Sequence, residues 1–473
     1  MIIKKYISSL IQGKCKLYDA NGIVINQDVI FNDYNRIKNY LYANFNENDI
    51  IGINLTKNYK YLLALLACME IGITYIPLRK KWPESRVEQI QSISECTIID
   101  DITWEDISTF SSEERDNSFK ITSDKTLYIM FTSGTTGVPK GVIIKRESYE
   151  NFLLWLDEYF NKINDKDRML FTTDFTFDIS LVDIGLLLVK HLNLYISSFE
   201  NDILQLLFEL DKFKITVHST VPYNYTMMVN SHILHKADIS NLKSLILAGS
   251  RFPYGLYQFF KESLSYVDVY NAYGPTEATI YVTCHHMNYS NDILDHNISI
   301  GQPVNGCNVQ IIDNELCISG VQVMQGYVSD EEKTNDVLLN VDGETFYKTG
   351  DLAFQDELNN FFVVGRKDDT VKISGFRVNL LDIDAYLHTL DYIKDSATII
   401  VENKKNEDSF LVTFLILTED KALPEIRSDM KKILLDYQVA KKILILENFP
   451  LNNSGKIDRK ALQDIYLGRL DAI

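Results

Sequence analysis

A cluster of hydroxyl, glycine and lysine residues directly follows an apolar segment at 127–131. Residues 131–141 read Phe-Thr-Ser-Gly-Thr-Thr-Gly-Val-Pro-Lys-Gly. Glycines let a backbone turn tightly and aim N–H groups at an anion, and hydroxyls and a lysine add donors and charge. The segment therefore predicts a phosphate cradle, although it lacks the G-x-x-x-x-G-K-[ST] pattern of a Walker A loop. The side-chain donors are Ser133, Thr135, Thr136 and Lys140.

A second motif, Asn-Ala-Tyr-Gly-Pro-Thr-Glu, occupies residues 271–277 after another apolar segment. Gly-Pro favours a sharp turn, and Tyr273 offers a plane on which a ring can stack. Thr276 and Glu277 place a hydroxyl beside a carboxylate, a pair suited to phosphate and magnesium. This motif predicts a nucleotide site with a metal ligand.

Three further motifs are weaker when each is taken alone, because a turn and a salt bridge would explain any of them. Residues 347–351 (Tyr-Lys-Thr-Gly-Asp) end in an acid whose carboxylate can accept hydrogen bonds from the two hydroxyls of a diol. Gly365-Arg366 is followed by a basic turn at 372–377. Near the C-terminus, residues 453–459 (Asn-Ser-Gly-Lys-Ile-Asp-Arg) contain a lysine preceded by glycine.

Alternating apolar patterns predict the elements that hold these motifs. Strands are expected at 51–55, 75–78, 127–131, 216–219, 245–248 and 267–270, and helices at 59–71 and 149–163. Such alternation is typical of parallel sheets covered by helices. Short strands and turns from 308 to 362 predict a β-rich subdomain. A helical pattern at 380–390 with strands at 397–401 and 410–417 predicts a small terminal α+β unit.

The composition is that of a globular protein with more than one domain. The 473 residues are too many for one simple core, and 46% are hydrophobic. A net charge of −18 argues against nucleic-acid or membrane partners. Six cysteines without a CxxC pair, no signal peptide and no membrane-length apolar run predict a cytoplasmic location.

In this order and at these separations, the motifs resemble the adenylate-forming superfamily of acyl- and aminoacyl-AMP ligases. The resemblance runs from about residue 51 to 462 and is strongest to free-standing adenylation domains of the nonribosomal peptide synthetase type and to D-alanine–carrier protein ligases. Segments 177–180, 314–320 and 326–327 match further motifs of that branch. The implied fold is α/β, with a large N-terminal domain of parallel sheets plus a β-rich subdomain (1–367) and a small mobile α+β lid (368–473).

The resemblance also implies roles for individual residues. Lys456, Thr276 and Glu277 would be catalytic, Glu277 would bind Mg²⁺, and Asp368 would be the hinge of the lid. Lys456 would bridge the substrate carboxylate and ATP. The ATP-binding set would comprise Thr132, Ser133, Gly134, Thr135, Thr136, Gly137, Lys140, Gly249, Ser250, Asn271, Ala272, Tyr273, Gly274, Asp351, Val363, Arg366 and Lys456.

One residue of the resemblance separates amino acids from fatty or aryl acids. Asp178 would pair with the substrate's α-ammonium, although a carboxylate at this place is also suited to cap a helix. The rest of the pocket is almost wholly apolar, which favours a hydrophobic or aromatic amino acid, with alanine as the main rival. The implied pocket comprises Asp178, Ile179, Val182, Ser219, Ile246, Ala248, Ala272, Ile280 and Tyr281.

No Gly-Gly-x-Ser segment for a phosphopantetheine arm occurs in the sequence, so a separate carrier protein is the expected acceptor. The family pattern Leu-Pro-x-Tyr-Met-x-Pro departs here to Leu-Leu-Asp-Tyr-Gln-Val-Ala at 434–440. Two alternatives remain open beside the amino-acid-activating enzyme: an acyl-CoA synthetase, which would not need Asp178, and a non-catalytic adenylate-binding protein.

Overall fold

The computed structural model describes residues 2–114, 119–132, 138–199, 202–294, 297–367, 370–373, 375–403, 408–450 and 457–468. The chain divides into two compact units. The large unit comprises Met1–Lys81, Ile90–Phe131 and Gly141–Gly365, and the small unit comprises Trp82–Gln89, Thr132–Lys140 and Arg366–Ile473. The predicted division into an adenylation core (1–367) and a lid (368–473) stays a prediction.

The helices occur in both units. In chain order they are α1 (Ile2–Ile11), α2 (Gln27–Asn44), α3 (Tyr59–Ile71), α4 (Glu84–Ser94), α5 (Asp101–Thr109), α6 (Arg146–Tyr159), α7 (Ser180–Lys190), α8 (Ile203–Lys212), α9 (Pro222–Asn230), α10 (Tyr254–Ser263), α11 (Glu331–Val337), α12 (Leu380–Leu387), α13 (Leu423–Ile433) and α14 (Arg459–Tyr466). Short 3₁₀ turns span Leu234–Lys236, Thr276–Ala278 and Asp436–Gln438.

The strands are mostly short. In chain order they are β1 (Leu17–Tyr18), β2 (Ile50–Asn54), β3 (Thr74–Pro77), β4 (Thr97–Asp100), β5 (Thr126–Thr132), β6 (Lys140–Lys145), β7 (Arg168–Phe171), β8 (Asn193–Ile196), β9 (Val217–Thr220), β10 (Ser244–Leu247), β11 (Asp268–Tyr273), β12 (Thr283–His286), β13 (Ile293–Leu294), β14 (Asn297–Ile298), β15 (Gln302–Pro303), β16 (Cys307–Ile312), β17 (Glu315–Gly320), β18 (Gly326–Tyr327), β19 (Leu338–Val341), β20 (Glu344–Gln355), β21 (Phe361–Arg366), β22 (Thr370–Ile373), β23 (Phe376–Asn379), β24 (Ile393–Asn403), β25 (Asp408–Leu417) and β26 (Lys442–Ile445).

Two mainly parallel sheets form the large unit. One has the order β1-β8-β7-β9-β10-β11-β12-β15, in which β12 and β15 run antiparallel to their neighbours. The other has the order β18-β6-β5-β3-β2-β4. Connections between parallel strands must cross over, and helices such as α3 between β2 and β3 make those crossings. The predicted α/β class with parallel sheets is confirmed.

Local signals explain why α3 begins and ends where it does. The Asn58 side chain accepts a hydrogen bond from the Lys60 N–H at the N-terminus, and Gly72 closes the C-terminus with a φ of +82°. Between these caps, every residue from Tyr61 to Ile71 is buried. The helix predicted at 59–71 is therefore confirmed.

The β-rich region and the terminal unit also follow the prediction. Strands β16, β17, β20 and β19 pair antiparallel, and β21 joins β20, so that the sheet spans 307–366 against the predicted 308–362. In the small unit, β24, β25 and β26 form one sheet, with α12, α13 and α14 contributing residues to its apolar clusters. In the part of the chain that the structure describes, no helix is both long and apolar enough to span a bilayer.

Candidate active site

The predicted amino-acid pocket is built on neighbouring parallel strands of the longer sheet. Ser219 on β9 lies directly opposite Ile246 on β10. Ala248, just after β10, donates its N–H to the Thr220 carbonyl oxygen at 3.1 Å, and Ala272 lies on the adjacent strand β11. Because parallel strands present their carboxyl ends at one edge, these residues meet in one place. The structure thus brings the sheet-borne pocket residues together.

The other predicted pocket residues are carried by a helix and a turn. Ile179 and Val182 lie at the start of α7, and Ile280 and Tyr281 follow the 3₁₀ turn after β11. All four are buried, and they share one apolar cluster with the residues of β10 and β11 named above. Their contact with a substrate stays a prediction.

Two consecutive residues in the left-handed backbone region place Tyr281. Thr279 has a φ of +54° and Ile280 a φ of +73°, although neither is glycine. The bend carries the chain back over the Gly-Pro turn so closely that a Cβ on Gly274 would lie 2.2 Å from the Ile280 carbonyl oxygen. The glycine of the second motif is thus required for close backbone approach as well as for turning.

Gln322 holds the bend at Thr279 and Ile280 in place, and the sequence analysis did not single out this glutamine. Its side chain is fully buried, and its Nε2 lies 2.9 Å from the Tyr281 carbonyl oxygen, 3.1 Å from that of Thr279 and 3.4 Å from that of Ala278. The Thr279 hydroxyl donates in turn to the Gln322 carbonyl oxygen at 2.6 Å. These bonds offset the cost of the strained backbone, so Gln322 positions two predicted pocket residues.

Asp178 is half-buried just before α7. The N-cap position of α7 belongs to the next residue, Ile179, which makes no side-chain cap hydrogen bond. Burial first, and then the nearby Asp178 charge, raises the pKa of the Tyr128 phenol. Asp178 also contributes to raising the pKa of Tyr281, after burial and the charge of Asp183. The carboxylate therefore lies beside the predicted pocket.

A second acid lies close by, and the sequence analysis did not single it out. Asp183 on α7 is fully buried, and burial raises its pKa well above the usual range. The Ser219 hydroxyl opposes this shift by hydrogen bonding, and it acts in the same way on the pKa of the Tyr281 phenol, which burial also raises. The helix sequence Ser-Leu-Val-Asp-Ile-Gly-Leu-Leu-Leu-Val carried a signal, because one acid interrupts an apolar run.

Side chains of the second motif form hydrogen bonds with residues of the large unit that lie far away in the sequence. The Tyr273 hydroxyl donates to the Asp351 carboxylate on β20. Glu277 is buried and accepts a hydrogen bond from the Tyr327 hydroxyl at 3.0 Å. Asn271 donates from Nδ2 to the Ser299 carbonyl oxygen at 2.8 Å. Carboxylate oxygens held in this way are the hard ligands that magnesium prefers.

The remaining predicted nucleotide residues lie at strand ends. Thr132 ends β5 and Lys140 begins β6. Gly249, with a φ of +84°, and Ser250 follow β10. Val363 and Arg366 belong to β21. Outside the described residues lie Ser133, Gly134, Thr135, Thr136, Gly137, Asp368 and Lys456.

The chain is similar in sequence to a known enzyme family and to several characterised proteins. Residues 30–328 match the family model described as AMP-binding enzyme. The D-alanine–D-alanyl carrier protein ligase of Lactococcus lactis is 30% identical over 431 residues, covering 85% of this chain and 86% of that protein. Gramicidin S synthase 2 of Brevibacillus brevis is 28% identical over 448 residues, covering 88% of this chain but only 10% of that protein.

A solved structure supports the fold. The adenylation domain AlmE of Vibrio cholerae, determined in complex with glycyl-adenosine-5'-phosphate, superposes with a TM-score of 0.84 at 21% identity. The match covers 98% of each chain.

Proposed function

This chain belongs to the AMP-binding enzyme family and is an adenylate-forming ligase, and from that premise we propose that its substrate is a free amino acid. The product of the first half-reaction is an aminoacyl-AMP, formed with release of pyrophosphate. In the second, the aminoacyl group passes to the phosphopantetheine thiol of a separate carrier protein. The observation that carries the proposal is Asp178, a half-buried carboxylate whose charge contributes to raising the pKa of the Tyr128 and Tyr281 phenols beside the predicted pocket.

The described residues fit ATP and a divalent cation. Tyr273 and the paired Asp351 would hold the nucleoside, with Arg366 as the second ribose contact. Glu277, oriented by Tyr327, would supply a carboxylate oxygen to Mg²⁺. When bound, the cation neutralises charge on the phosphates. Segment 132–140 would hold the leaving pyrophosphate.

The reaction is a displacement at phosphorus. A substrate carboxylate oxygen attacks the α-phosphorus, the bond from that phosphorus to the bridging oxygen breaks, and pyrophosphate leaves with the electron pair. Charge builds on oxygens that are already anionic, so fixed cations and N–H donors supply most of the catalysis. Lys140 and Lys456 are the proposed cations, and Thr276 is the proposed hydroxyl contact. In the second half-reaction, the carrier thiol attacks the carbonyl carbon, loses its proton and expels AMP.

The pocket supports an uncharged side chain. Its wall of Ile179, Val182, Ile246 and Ile280 is buried and apolar, so a charged substrate side chain set against it would lack a partner. A hydrophobic or aromatic amino acid is proposed on that ground. D-Alanine is the second candidate, favoured by the 30% identity to a D-alanine–D-alanyl carrier protein ligase that matches over most of both chains.

Amino-acid-dependent ATP–pyrophosphate exchange is the decisive test. A panel of L- and D-amino acids, fatty acids and aryl acids should give exchange with one or a few uncharged amino acids. Exchange with fatty or aryl acids alone would make the enzyme an acyl-activating ligase. Exchange with none of the panel would contradict the proposal.

The acceptor is tested separately with labelled amino acid and ATP. Label should appear on a cognate phosphopantetheinylated carrier and not on this chain. Transfer to free coenzyme A as efficient as transfer to any carrier would favour a coenzyme A ligase instead.

A further inference from the structure

The loop that carries Asp178 is held by side chains from the other sheet of the large unit. This loop, residues 172–179, follows β7 of the longer sheet and leads into α7, and we call it the Asp178 loop. The side chains that contact it come from the segments after β2 and β3, which belong to the six-stranded sheet. The placement of Asp178 therefore depends on residues that lie far earlier in the sequence.

Lys57, which follows β2, makes the first contact. Its Nζ donates to the Thr172 carbonyl oxygen at 2.7 Å and lies 5.1 Å from the centroid of the Phe171 ring. Burial lowers the pKa of this ammonium to about 8, and the charge of Asp174 opposes that shift most strongly. A hydrogen bond from an ammonium is about twice as strong as one between neutral groups. Lys57 thus holds the loop where it leaves β7.

Arg79, which follows β3, makes the second contact. Its Nε lies 3.3 Å from Oδ2 of Asp174, and the two side chains are 21% and 24% exposed. Oδ1 of the same carboxylate accepts from the Thr176 N–H at 3.0 Å and from the Thr176 hydroxyl at 2.7 Å. An ion pair with this exposure adds little to stability, so its main consequence is geometric. It fixes the carboxylate that closes the turn before Asp178.

A stacked pair of rings makes the third contact. The centroids of the Phe175 and Tyr61 rings are 4.2 Å apart, with an interplanar angle of 2°. Both rings are buried. The Tyr61 hydroxyl donates to the Ile53 carbonyl oxygen at 2.8 Å and accepts from the Leu78 N–H at 3.0 Å. Because Ile53 belongs to β2 and Leu78 follows β3, this ring is fixed by the six-stranded sheet as well.

Asp178 lies between two hydrogen-bonded stretches of backbone. Before it, the Phe177 N–H donates to the Asp174 carbonyl oxygen at 3.1 Å. After it, the Asp178 carbonyl oxygen accepts from the Leu181 N–H of α7 at 2.9 Å. The helix is buried from Ser180 to Val189, so it cannot easily follow a shift of the turn. The turn and the helix together therefore set the direction of the Asp178 carboxylate.

We propose that Arg79 and Lys57 are positioning residues of the amino-acid site, which hold the Asp178 carboxylate in the direction that pairs with the substrate's α-ammonium. Both act through the backbone of the Asp178 loop. The proposal rests on the proposed function, because it takes the α-ammonium as the partner of Asp178. Exact placement matters in such a site, since a displacement of about 1 Å can cost about 100-fold in rate.

Selectivity for the α-amine distinguishes positioning from stability. The measured quantity is the ratio of kcat/KM in pyrophosphate exchange between the preferred amino acid and its deamino analogue. Arg79→Ala and Lys57→Met should each lower this ratio at least about fivefold, because the carboxylate is then less well placed for the amine. Arg79→Lys should retain part of the ratio. Asp174→Asn, which keeps an acceptor for Thr176, should add no further loss to Arg79→Ala.

Arg36→Ala is the matched control. Arg36 forms an ion pair with Asp33 within α2, also at 3.3 Å and also between partly buried side chains. Its removal takes away a comparable ion pair and should leave the ratio unchanged. An equal fall of the ratio in Arg36→Ala and Arg79→Ala would show general loosening of the large unit and would overturn the inference.

The remaining outcomes separate this inference from the proposed function. An unchanged ratio in folded Arg79→Ala or folded Lys57→Met enzyme overturns the inference and leaves the proposed function standing. If Lys57→Met does not fold, Arg79→Ala decides. Equal activation of the amino acid and its deamino analogue by the wild-type enzyme removes the role of Asp178, and the inference falls with it. Exchange with no amino acid overturns the proposed function itself.

Discussion

The two ends of the candidate site treat their polar side chains differently. At the nucleotide end, Asp351 is bonded by Tyr273 and Glu277 by Tyr327, so both acids are held before any ligand arrives. At the amino-acid end, the Ser219 hydroxyl lies between the Asp183 carboxyl and the Tyr281 phenol, and all three side chains are buried. One end pairs its acids with phenols of the nucleotide motifs, and the other encloses its acid among hydroxyl groups and an apolar wall.

The difference follows from what each end does. Groups that meet the reacting phosphate gain from being fixed in advance, because no reorganisation is then needed during the reaction. Residues that select a side chain gain from being buried, because a ligand that does not match the pocket leaves a buried group without a partner. Preorganisation therefore serves rate, and burial serves selectivity.

The largest effect is expected from breaking the link between the two ends. Lys456 is proposed to bridge the substrate carboxylate and ATP. Lys456→Ala should fold normally and lose single-turnover adenylation by about 100- to 1,000-fold, the scale of a lost transition-state contact. Lys460→Ala, a nearby lysine at the start of α14, is the matched control. Unchanged adenylation by folded Lys456→Ala enzyme would remove this lysine from the chemistry.

The next effect tests Asp178 at the amino-acid end. A substrate without the α-amine cannot form an ion pair with this carboxylate, so hydroxy and deamino analogues should be activated at least about 100-fold less well than the amino acid. Asp178→Ala should lower the rate with the amino acid. It should also reduce the difference in kcat/KM between the amino acid and its deamino analogue, because the variant has no carboxylate to pair with the amine. Equal kcat/KM for an amino acid and its deamino analogue in the wild-type enzyme would contradict this role.

Gln322 holds part of the amino-acid end in its conformation before any substrate binds. Gln322→Leu keeps the volume but removes the donor to three carbonyl oxygens, and should cost about 2 kcal/mol in the free energy of unfolding. It should also reduce the ratio of kcat/KM between the preferred amino acid and its nearest homologue, which a purely structural role would leave alone. Gln355→Leu, at an exposed glutamine, is the matched control. An unchanged ratio in folded Gln322→Leu enzyme would confine Gln322 to stability.

A matched pair of phenols compares the two ends directly. Tyr327→Phe removes the hydroxyl that bonds Glu277, and should lower the free energy of unfolding by about 1.5 kcal/mol. Tyr281→Phe removes a hydroxyl beside the neutral Ser219 hydroxyl, and should lower the free energy of unfolding by less, at most about 1 kcal/mol. Chemical denaturation of the ligand-free variants measures both. Equal losses would mean that the two phenols are equally satisfied.

Local sequence predicted the frame well, because strand and helix periodicity is local. The helix at 59–71 matches the observed α3, and the predicted strand at 245–248 lies within one residue of β10. The pocket residues came from the family resemblance, and the structure brings them into one place. Gln322 could not be predicted, because its partners at 278–281 lie some forty residues away and no local pattern marks the pairing.

The smallest effect concerns the pH dependence of stability, and it follows from the buried Asp183 carboxyl at the amino-acid end. Burial raises the folded-state pKa of Asp183, with the nearby Ser219 hydroxyl and Lys57 ammonium opposing that shift and the Tyr281 and Tyr149 phenols close by. Above about pH 4 the unfolded chain releases this proton while the folded chain keeps it. The folded state then binds more protons, so its stability falls as pH rises, by up to about 1.4 kcal/mol per pH unit until the folded pKa is passed. Asp183→Asn has no proton to lose and should show a flatter profile between pH 4 and 7 in denaturant unfolding. Asp336→Asn, at an exposed position on α11, is the matched control. If wild type and Asp183→Asn have the same profile, the Asp183 carboxyl does not keep its proton in the folded state across this range, and its burial does not set the pH dependence of stability.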